Sequence, residues 1–532
     1  MQPPELLAAL RDPAVFGRPA DASLQIKILQ THISIVALVD DEVYKFKKPV
    51  DLEFLDYTTL ERRRRCCDLE VALNRRLAPD VYLGVAELRR SADGLRIGGD
   101  GELVDVAVHM RRLPDAATLA HRLAAGTVDA TLFTRLGALL HGFHRDARRG
   151  RDVSTFATFA AVAANARQNF AQLAALQLVD APRESLLTRL ERATEEALTR
   201  HHAAIDRRAR ADVACDTHGD LRLDHIYWFP DAPRDLVILD CIEFNEQFRC
   251  ADPIADLAFL VMDLHRVDRQ DLADVLLAGY FAAYTRPLGH PPHPSEPAEA
   301  RALLPLYTAY RATVRAKVEA MKAAEPEVPE AAAAAAALAA HRHLLLALRE
   351  LQPPSLRPCL VLVAGLPGTG KSTLARHLAA DGLAWVRSDA VRKHLAGLSS
   401  TPPADIYTPA WTARTYATCL QRARAALVAG DRVVVDANFK HHDQRAPFLA
   451  LARDLGVPAV LFVCDADPAV VRDRLARRTG DISDADIAIY EAARRDWQPP
   501  TPAEAAHVLD TADSPESVAA AVQRTLAAHG LA

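Results

Sequence analysis

The chain has 532 residues and a mass of 58.0 kDa, more than one hydrophobic core usually supports, so two or more domains are expected. Half of its residues are apolar and a quarter charged, the profile of a soluble globular protein. Lys+Arg (64) nearly balance Asp+Glu (69) for a net charge of −5, which argues against a strongly basic surface, so nucleic acid is not an obvious partner.

The eight cysteines form neither a CxxC pair nor a zinc-spaced array and suit a reduced, cytoplasmic interior. The N-terminal "MQPPELLAALRDP" has no basic region followed by an apolar run, so no secretory signal is expected. The run "EAAAAAAALAAHRHLLLALRE" is interrupted by His341, Arg342 and His343 and reads as a soluble helix, so no membrane partner is expected.

In chain order, "THISIVALV" and "EVYKFKKPV" are β-rich runs separated by Asp40 and Asp41, a hairpin signal. Lys45 and Lys47 share one face of the second run. "LERRRRCCDLEVALNRRL" follows with helical spacing, an apolar stripe of Cys66, Leu69, Leu73 and Leu77, and Glu70 on its flank. A carboxylate turned partly inward needs a cation, which either lysine would supply. Glu61 to Arg65, "ERRRR", reads as a solvated face or as a greeting for an anionic acceptor. "LVDVAVHM" is a further strand. His141 and His144 lie three apart on a helical pattern and lack a third metal ligand nearby, so they read as packing and hydrogen-bonding residues. Mostly helical segments then enclose "CDTHGDLRLDHIYWF" and the short strand "DLVILD", so a small sheet-rich lobe precedes a larger helical one.

The HGD triplet followed by a strand ending in aspartate, "DLVILDCIEF", resembles the catalytic core of the aminoglycoside phosphotransferase and choline kinase group, relatives of protein kinases. The resemblance spans most of residues 25 to 325 and implies a bilobal, kinase-like α+β fold. It implies that Asp220 is the base or orienting carboxylate for an acceptor hydroxyl and that Asp240 chelates Mg²⁺. It further implies a lysine–glutamate pair from Lys45 or Lys47 with Glu70, a hinge for adenine at Val106 to Pro114, and structural roles for His218, Asp252 and Asp256. The departure is His225, where the family carries an asparagine whose oxygen serves Mg²⁺. Asp224 taking over, His225 acting through a metal-bound water, and a site that binds nucleotide without turning it over all remain open.

Proline-rich "AAEPEVPE" and "LQPPSLRP" bracket the alanine-rich helix. The first domain is therefore expected over 1–325, a helical connector over 326–356, and a second domain over 357–532. Apolar strands alternating with helices predict an α/β domain whose parallel sheet is covered by helices. "GLPGTGKS" sits between a strand and a helix and matches the phosphate-cradling pattern GxxxxGK[ST]. Gly365, Leu366, Pro367, Gly368, Thr369 and Gly370, with Thr373 behind them, would bind a triphosphate, Lys371 would reach the β/γ-phosphates, and Ser372 would bind Mg²⁺.

Asp389 could take a proton from an attacking hydroxyl, with Arg392 holding the acceptor or a phosphate, or Asp389 could cap the following helix. Asp436 at a strand end is a water-mediated Mg²⁺ partner or a structural residue. Arg472, Arg474, Arg477 and Arg478 precede an acidic loop and form either a lid over the phosphates or a solvated helix face.

The P-loop with Asp389 and Arg392 resembles small P-loop kinases of the zeta-toxin and polynucleotide kinase type over most of residues 357 to 500, which implies phosphorylation of a hydroxyl. From Arg357 onward about 20 Lys/Arg face about 19 Asp/Glu, so a small metabolite is favoured over a polynucleotide. The whole chain resembles bacterial two-domain proteins with an aminoglycoside-phosphotransferase-like front and a P-loop kinase rear, which implies ATP and Mg²⁺ as cofactors. Rival readings are an ATP-hydrolysing regulator with an inactive front half and a nucleic-acid 5′-hydroxyl kinase.

Overall fold

A computed structural model describes residues 3–18, 25–31, 33–52, 55–92, 94–176, 181–284, 296–397, 404–477 and 485–532. The chain gathers into two units, residues 1–164 with 200–308 and residues 165–199 with 309–532.

In the first unit six strands make one antiparallel sheet: β1 (Ile26–Gln30), β2 (Ser34–Val39), β3 (Glu42–Lys47), β4 (Tyr82–Ser91), β5 (Gly94–Ile97) and β6 (Glu102–Arg111). Their spatial order is β1-β2-β3-β6-β4-β5. The expected hairpin is β2–β3, and Asp40 turns it at φ +52, a conformation that a short polar side chain tolerates. Alternate residues Ile35, Ala37 and Val39 of β2 and Tyr44 and Phe46 of β3 bury one face of the sheet against Leu6 and Leu10.

Helix α1 (Leu60–Asn74) begins where Thr59 accepts a hydrogen bond from the Arg62 N–H at 3.2 Å. Its buried face carries Arg63, Cys67, Glu70, Val71, Leu73 and Asn74. The expected stripe is therefore corrected: of Cys66, Leu69, Leu73 and Leu77, only Leu73 is fully buried. Polar residues occupy that face because each finds a partner. Arg63 Nε donates to Asp105 at 2.9 Å, and Asn74 Oδ1 accepts from the Cys241 N–H at 2.9 Å.

The rest of this unit is mainly helical. Helix α2 (Pro253–Arg266) is buried at every residue from Pro253 to Leu264. Two short antiparallel pairs, Cys215–Asp216 with Cys250–Ala251 and Ile226–Trp228 with Leu236–Ile238, frame the HGD loop. A sheet with one inserted helix, followed by a helical part, is the kinase-like bilobal arrangement.

In the second unit five strands, β7 (Cys359–Ala364), β8 (Ala384–Arg387), β9 (Arg432–Asp436), β10 (Ala459–Asp465) and β11 (His507–Asp510), run parallel in the order β8-β9-β7-β10-β11. All six residues of β7 are buried, as a central strand covered on both faces requires. Helix α3 (Lys371–Ala380) follows β7, α4 (Ser388–Leu395) follows β8, α5 (Pro409–Val428) leads into β9, and α6 (Pro468–Ala476) follows β10. The chain leaves β7 toward one edge and returns to the other side, so the carboxyl ends of β7 and β9 flank the switch point where ligands of such sheets bind.

The helix Glu330–Leu351 is long and apolar enough to cross a membrane by length and composition, but half of its most apolar window is buried, and it packs on the helix His442–Leu455. From residues 165–199, Arg189 Nη1 donates to Asp431 Oδ1 and to the Ala429 carbonyl, each at 2.8 Å.

Candidate active sites

The loop between β7 and α3 bends through Gly365, Gly368 and Gly370 at φ +139, +81 and +89. A side chain at Gly365 would run into the Cys464 carbonyl, so only glycine lets the loop pass β10 this closely. Lys371 Nζ donates to the Leu366 carbonyl at 2.8 Å, which holds the ammonium inside the loop. Ser372 Oγ donates to Asp436 Oδ2 at 2.7 Å, joining the first turn of α3 to the end of β9. Burial raises the Asp436 carboxyl above its ordinary value, and the Lys371 ammonium works against that shift.

A cleft of about 560 Å³ runs past this loop. Its lining includes Thr511, Pro515 and Gln523 as well as Asp389, Arg392 and Tyr407. Asp389 sits in the first turn of α4, whose capping residue is Arg387, so the carboxylate faces the cleft instead of capping the helix. Arg392 is held by the Ile406 carbonyl at 2.6 Å and lies over the Tyr407 ring at 5.3 Å.

The arginines divide by position. Arg474 lines the cleft and donates to the Thr511 carbonyl at 2.5 Å, while Thr511 Oγ1 donates to the Thr369 carbonyl at 2.8 Å. Arg472 is paired with Glu491 and Arg477 with Asp473, both on the exposed side, so neither is brought to the phosphate loop. Arg478 lies outside the described residues.

In the first unit Lys45 Nζ donates to Glu70 Oε1 at 2.9 Å and to Asp240 Oδ1 at 2.7 Å. Lys47 is fully buried between Glu70 and Glu243, whose carboxylate also accepts from the Tyr57 hydroxyl at 2.9 Å. Lys45 therefore meets the loop aspartate, whereas Lys47 is enclosed in the sheet. Asp240 has φ +66, a left-handed backbone that its neighbours must hold in place, and its N–H donates to the Tyr82 hydroxyl at 3.2 Å. The Lys45 ammonium keeps the Asp240 carboxyl far below the usual carboxylate range, with Arg222 adding to the effect.

The HGD loop is braced from α2. Asp256 accepts from the N–H groups of His218 at 3.1 Å and Gly219 at 2.8 Å, and Asp263 accepts from the Leu223 N–H at 3.0 Å. Asp252 grips Arg208 through two hydrogen bonds of 2.6 and 3.0 Å. The structural roles expected of Asp252 and Asp256 match these contacts. His218 Nε2 donates to the Leu239 carbonyl at 2.9 Å, and burial lowers the His218 pKa to about 4. His144 bridges Asp256 and the Tyr280 hydroxyl, each at 3.0 Å, and so acts in hydrogen bonding, whereas His141 packs edge-on against Tyr280 with neither ring nitrogen hydrogen-bonded to a described residue and acts in packing alone.

Asp220 is engaged by Arg222, whose Nε lies 3.1 Å from its Oδ1. His225 donates from Nδ1 to the Asp220 carbonyl at 2.9 Å and meets Arg222 Nη2 through Nε2 at 2.6 Å. Asp224 stays half exposed, 3.7 Å from Arg222. The "ERRRR" run is paired: Arg62 with Asp56, Arg63 with Asp105 and Arg64 with Glu87. Sequence reasoning missed Arg222, Asp263 and Thr511. Arg222 lies two residues beyond Asp220 in the HGD loop and Asp263 seven beyond Asp256 on α2, while Thr511 follows a four-residue strand with little pattern of its own.

Residues 360–500 match the AAA domain family. The uncharacterized protein Rv2004c of Mycobacterium tuberculosis (strain ATCC 25618 / H37Rv) is 35% identical over 501 residues, 92% of this chain and 92% of its own. The chain belongs to the same family as that protein. Among solved structures, a choline/ethanolamine kinase family protein from Mesorhizobium loti aligns with 65% of this chain and 98% of its own at 13% identity and a TM-score of 0.36. A gluconokinase from Sinorhizobium meliloti 1021 aligns with 32% of this chain and 94% of its own at 19% identity and a TM-score of 0.25. In this member of the family a unit that holds the antiparallel sheet and the HGD loop and a P-loop α/β unit are carried on one polypeptide.

Proposed function

We propose that the chain is an ATP- and Mg²⁺-dependent phosphotransferase whose second unit moves a γ-phosphoryl group to a hydroxyl of a small-molecule acceptor. The observation that carries this reading is a single cleft in which Lys371, Ser372 and Asp436 stand together with Asp389 and Arg392. The residues fit the two cofactors. Positive-φ glycines turn backbone N–H groups inward, Lys371 and Arg474 add positive charge for phosphates, and Ser372 with Asp436 offers the hard oxygens that Mg²⁺ prefers. Mg²⁺ bound there supplies charge neutralisation for the phosphates. Asp389 takes up the proton of the acceptor hydroxyl at its carboxylate, and Arg392 and Tyr407 line the same cleft.

The first unit is read as a second nucleotide site, with Lys45 and Glu70 on the phosphate side, Asp240 as metal ligand and Asp220 facing an acceptor hydroxyl. The Lys45–Asp240 contact supports this reading.

The test is mass spectrometry of products after incubation of the protein, ATP and Mg²⁺ with a metabolite extract. A phosphorylated small molecule that disappears with Asp389→Ala supports the proposal, and loss with Asp220→Ala assigns a product to the first unit. Release of inorganic phosphate alone would instead favour an ATP-driven regulator, and label on a polynucleotide 5′-hydroxyl would overturn the choice of acceptor.

A further inference from the structure

Kinase-like sites commonly hold two divalent ions, one on the aspartate after the catalytic loop and a second shared with an asparagine oxygen on that loop. In this chain the loop position is His225, and its ring is already committed. The Asp220 carbonyl at 2.9 Å can only accept, so the ring hydrogen is on Nδ1 and the lone pair on Nε2 faces Arg222 Nη2 at 2.6 Å. The same guanidinium reaches Asp220 through Nε, 3.1 Å from Oδ1 and 3.2 Å from Oδ2, and lies 3.7 Å from Asp224. His225 Nε2 is 3.7 Å from Asp240 Oδ2. A fixed positive charge is therefore bonded both to Asp220 and to the His225 ring, which lies beside the far oxygen of Asp240, where a second ion would need an oxygen ligand. That position offers a soft nitrogen already bonded to a cation, and the second ion does not fit.

We infer that the first unit takes a nucleoside triphosphate with a single divalent cation, on Asp240, and that Arg222, clamped by His225 and Asp220, supplies the positive charge that a second cation would bring. His225 is then a positioning residue for Arg222 and not a metal ligand. The inference rests on the reading of the first unit as a nucleotide site, and the experiment separates the two.

The full-length chain carrying Lys371→Ala and Ser372→Ala, which disables the P-loop, is mixed with a non-hydrolysable ATP analogue and Mn²⁺. Electron paramagnetic resonance distinguishes a lone bound Mn²⁺ from a spin-coupled pair, and this first measurement leaves the first unit unchanged. A lone ion is expected, with a coupled pair arising when Arg222→Ala and His225→Asn are added. A coupled pair before those changes overturns the inference while leaving the nucleotide reading intact. No binding of the analogue at all overturns both. Arg222→Gln is expected to weaken the ATP analogue roughly tenfold while leaving ADP within about twofold, since the lost charge-assisted contact serves the terminal phosphate. Equal weakening of both nucleotides, or of neither, overturns the role given to Arg222.

Discussion

Lys45 Nζ stands 2.7 Å from Asp240 Oδ1, while Lys47, two residues along the same strand face, never leaves the interior. One residue type thus does two different jobs. Lys47→Met strands Glu70 and Glu243 as buried carboxylates with reduced compensation and is expected to cost the first unit about 3–5 kcal/mol. Lys45→Met is expected to cost less stability and to abolish nucleotide binding in that unit. Urea unfolding and nucleotide titration check the split, and equal stability losses would count against it.

Gly365→Ala forces a methyl group onto the Cys464 carbonyl and is expected to lower ATP affinity in the second unit at least roughly tenfold. Gly382→Ala is the comparison. Gly382 also has a positive φ, +92, but open space around it, so the change is expected to cost about 1 kcal/mol and to leave ATP affinity unchanged. Calorimetric titration with ATP reads both.

With the product identified, Asp389→Asn is expected to lower kcat by about 10²–10⁴-fold with ATP affinity nearly intact, the mark of a lost proton acceptor. Arg392→Ala is expected to raise the acceptor KM, because Arg392 lines the same cleft as Asp389 one helical turn further along α4. Steady-state kinetics with each substrate varied in turn separates the two effects.

Burial lowers both His218 and His141 from the ordinary value of 6.5 to about 4. Each is neutral when folded, and the unfolded chain takes the proton first. The stability they contribute is complete above pH 6.5 and falls as the pH drops toward 4, by roughly 1.4 kcal/mol per pH unit for each histidine. Urea midpoints of the first unit measured between pH 7 and 4 should fall accordingly, and His141→Phe should flatten the slope.

The P-loop was legible because its chemistry is local: contiguous residues, glycines at the bends and a helix directly behind them. The HGD loop was legible for the same reason. The division between Lys45 and Lys47 was not, because it depends on Glu243, which approaches from 196 residues away in sequence. Strand periodicity puts both lysines on one face and stops there. Helix α1 misled because a hydrophobic stripe is read from apolar residues, whereas its inward face is built from Arg63, Glu70 and Asn74, each matched by a partner on another element. Arg474 lies on α6 and Arg477 caps its end three residues on, and the position of Thr511 marks the one at the cleft while the other stays in solvent.

The polypeptide passes from one unit to the other after residues 164, 199 and 308. A single proteolytic nick cannot release either unit as a separate piece, since each is stitched from two stretches of chain. Genetic truncation near residue 325 would remove most of the P-loop unit while stranding its helical stretch 165–199 on the fragment left behind. Neither unit is therefore a contiguous stretch that one cut can separate intact from the other.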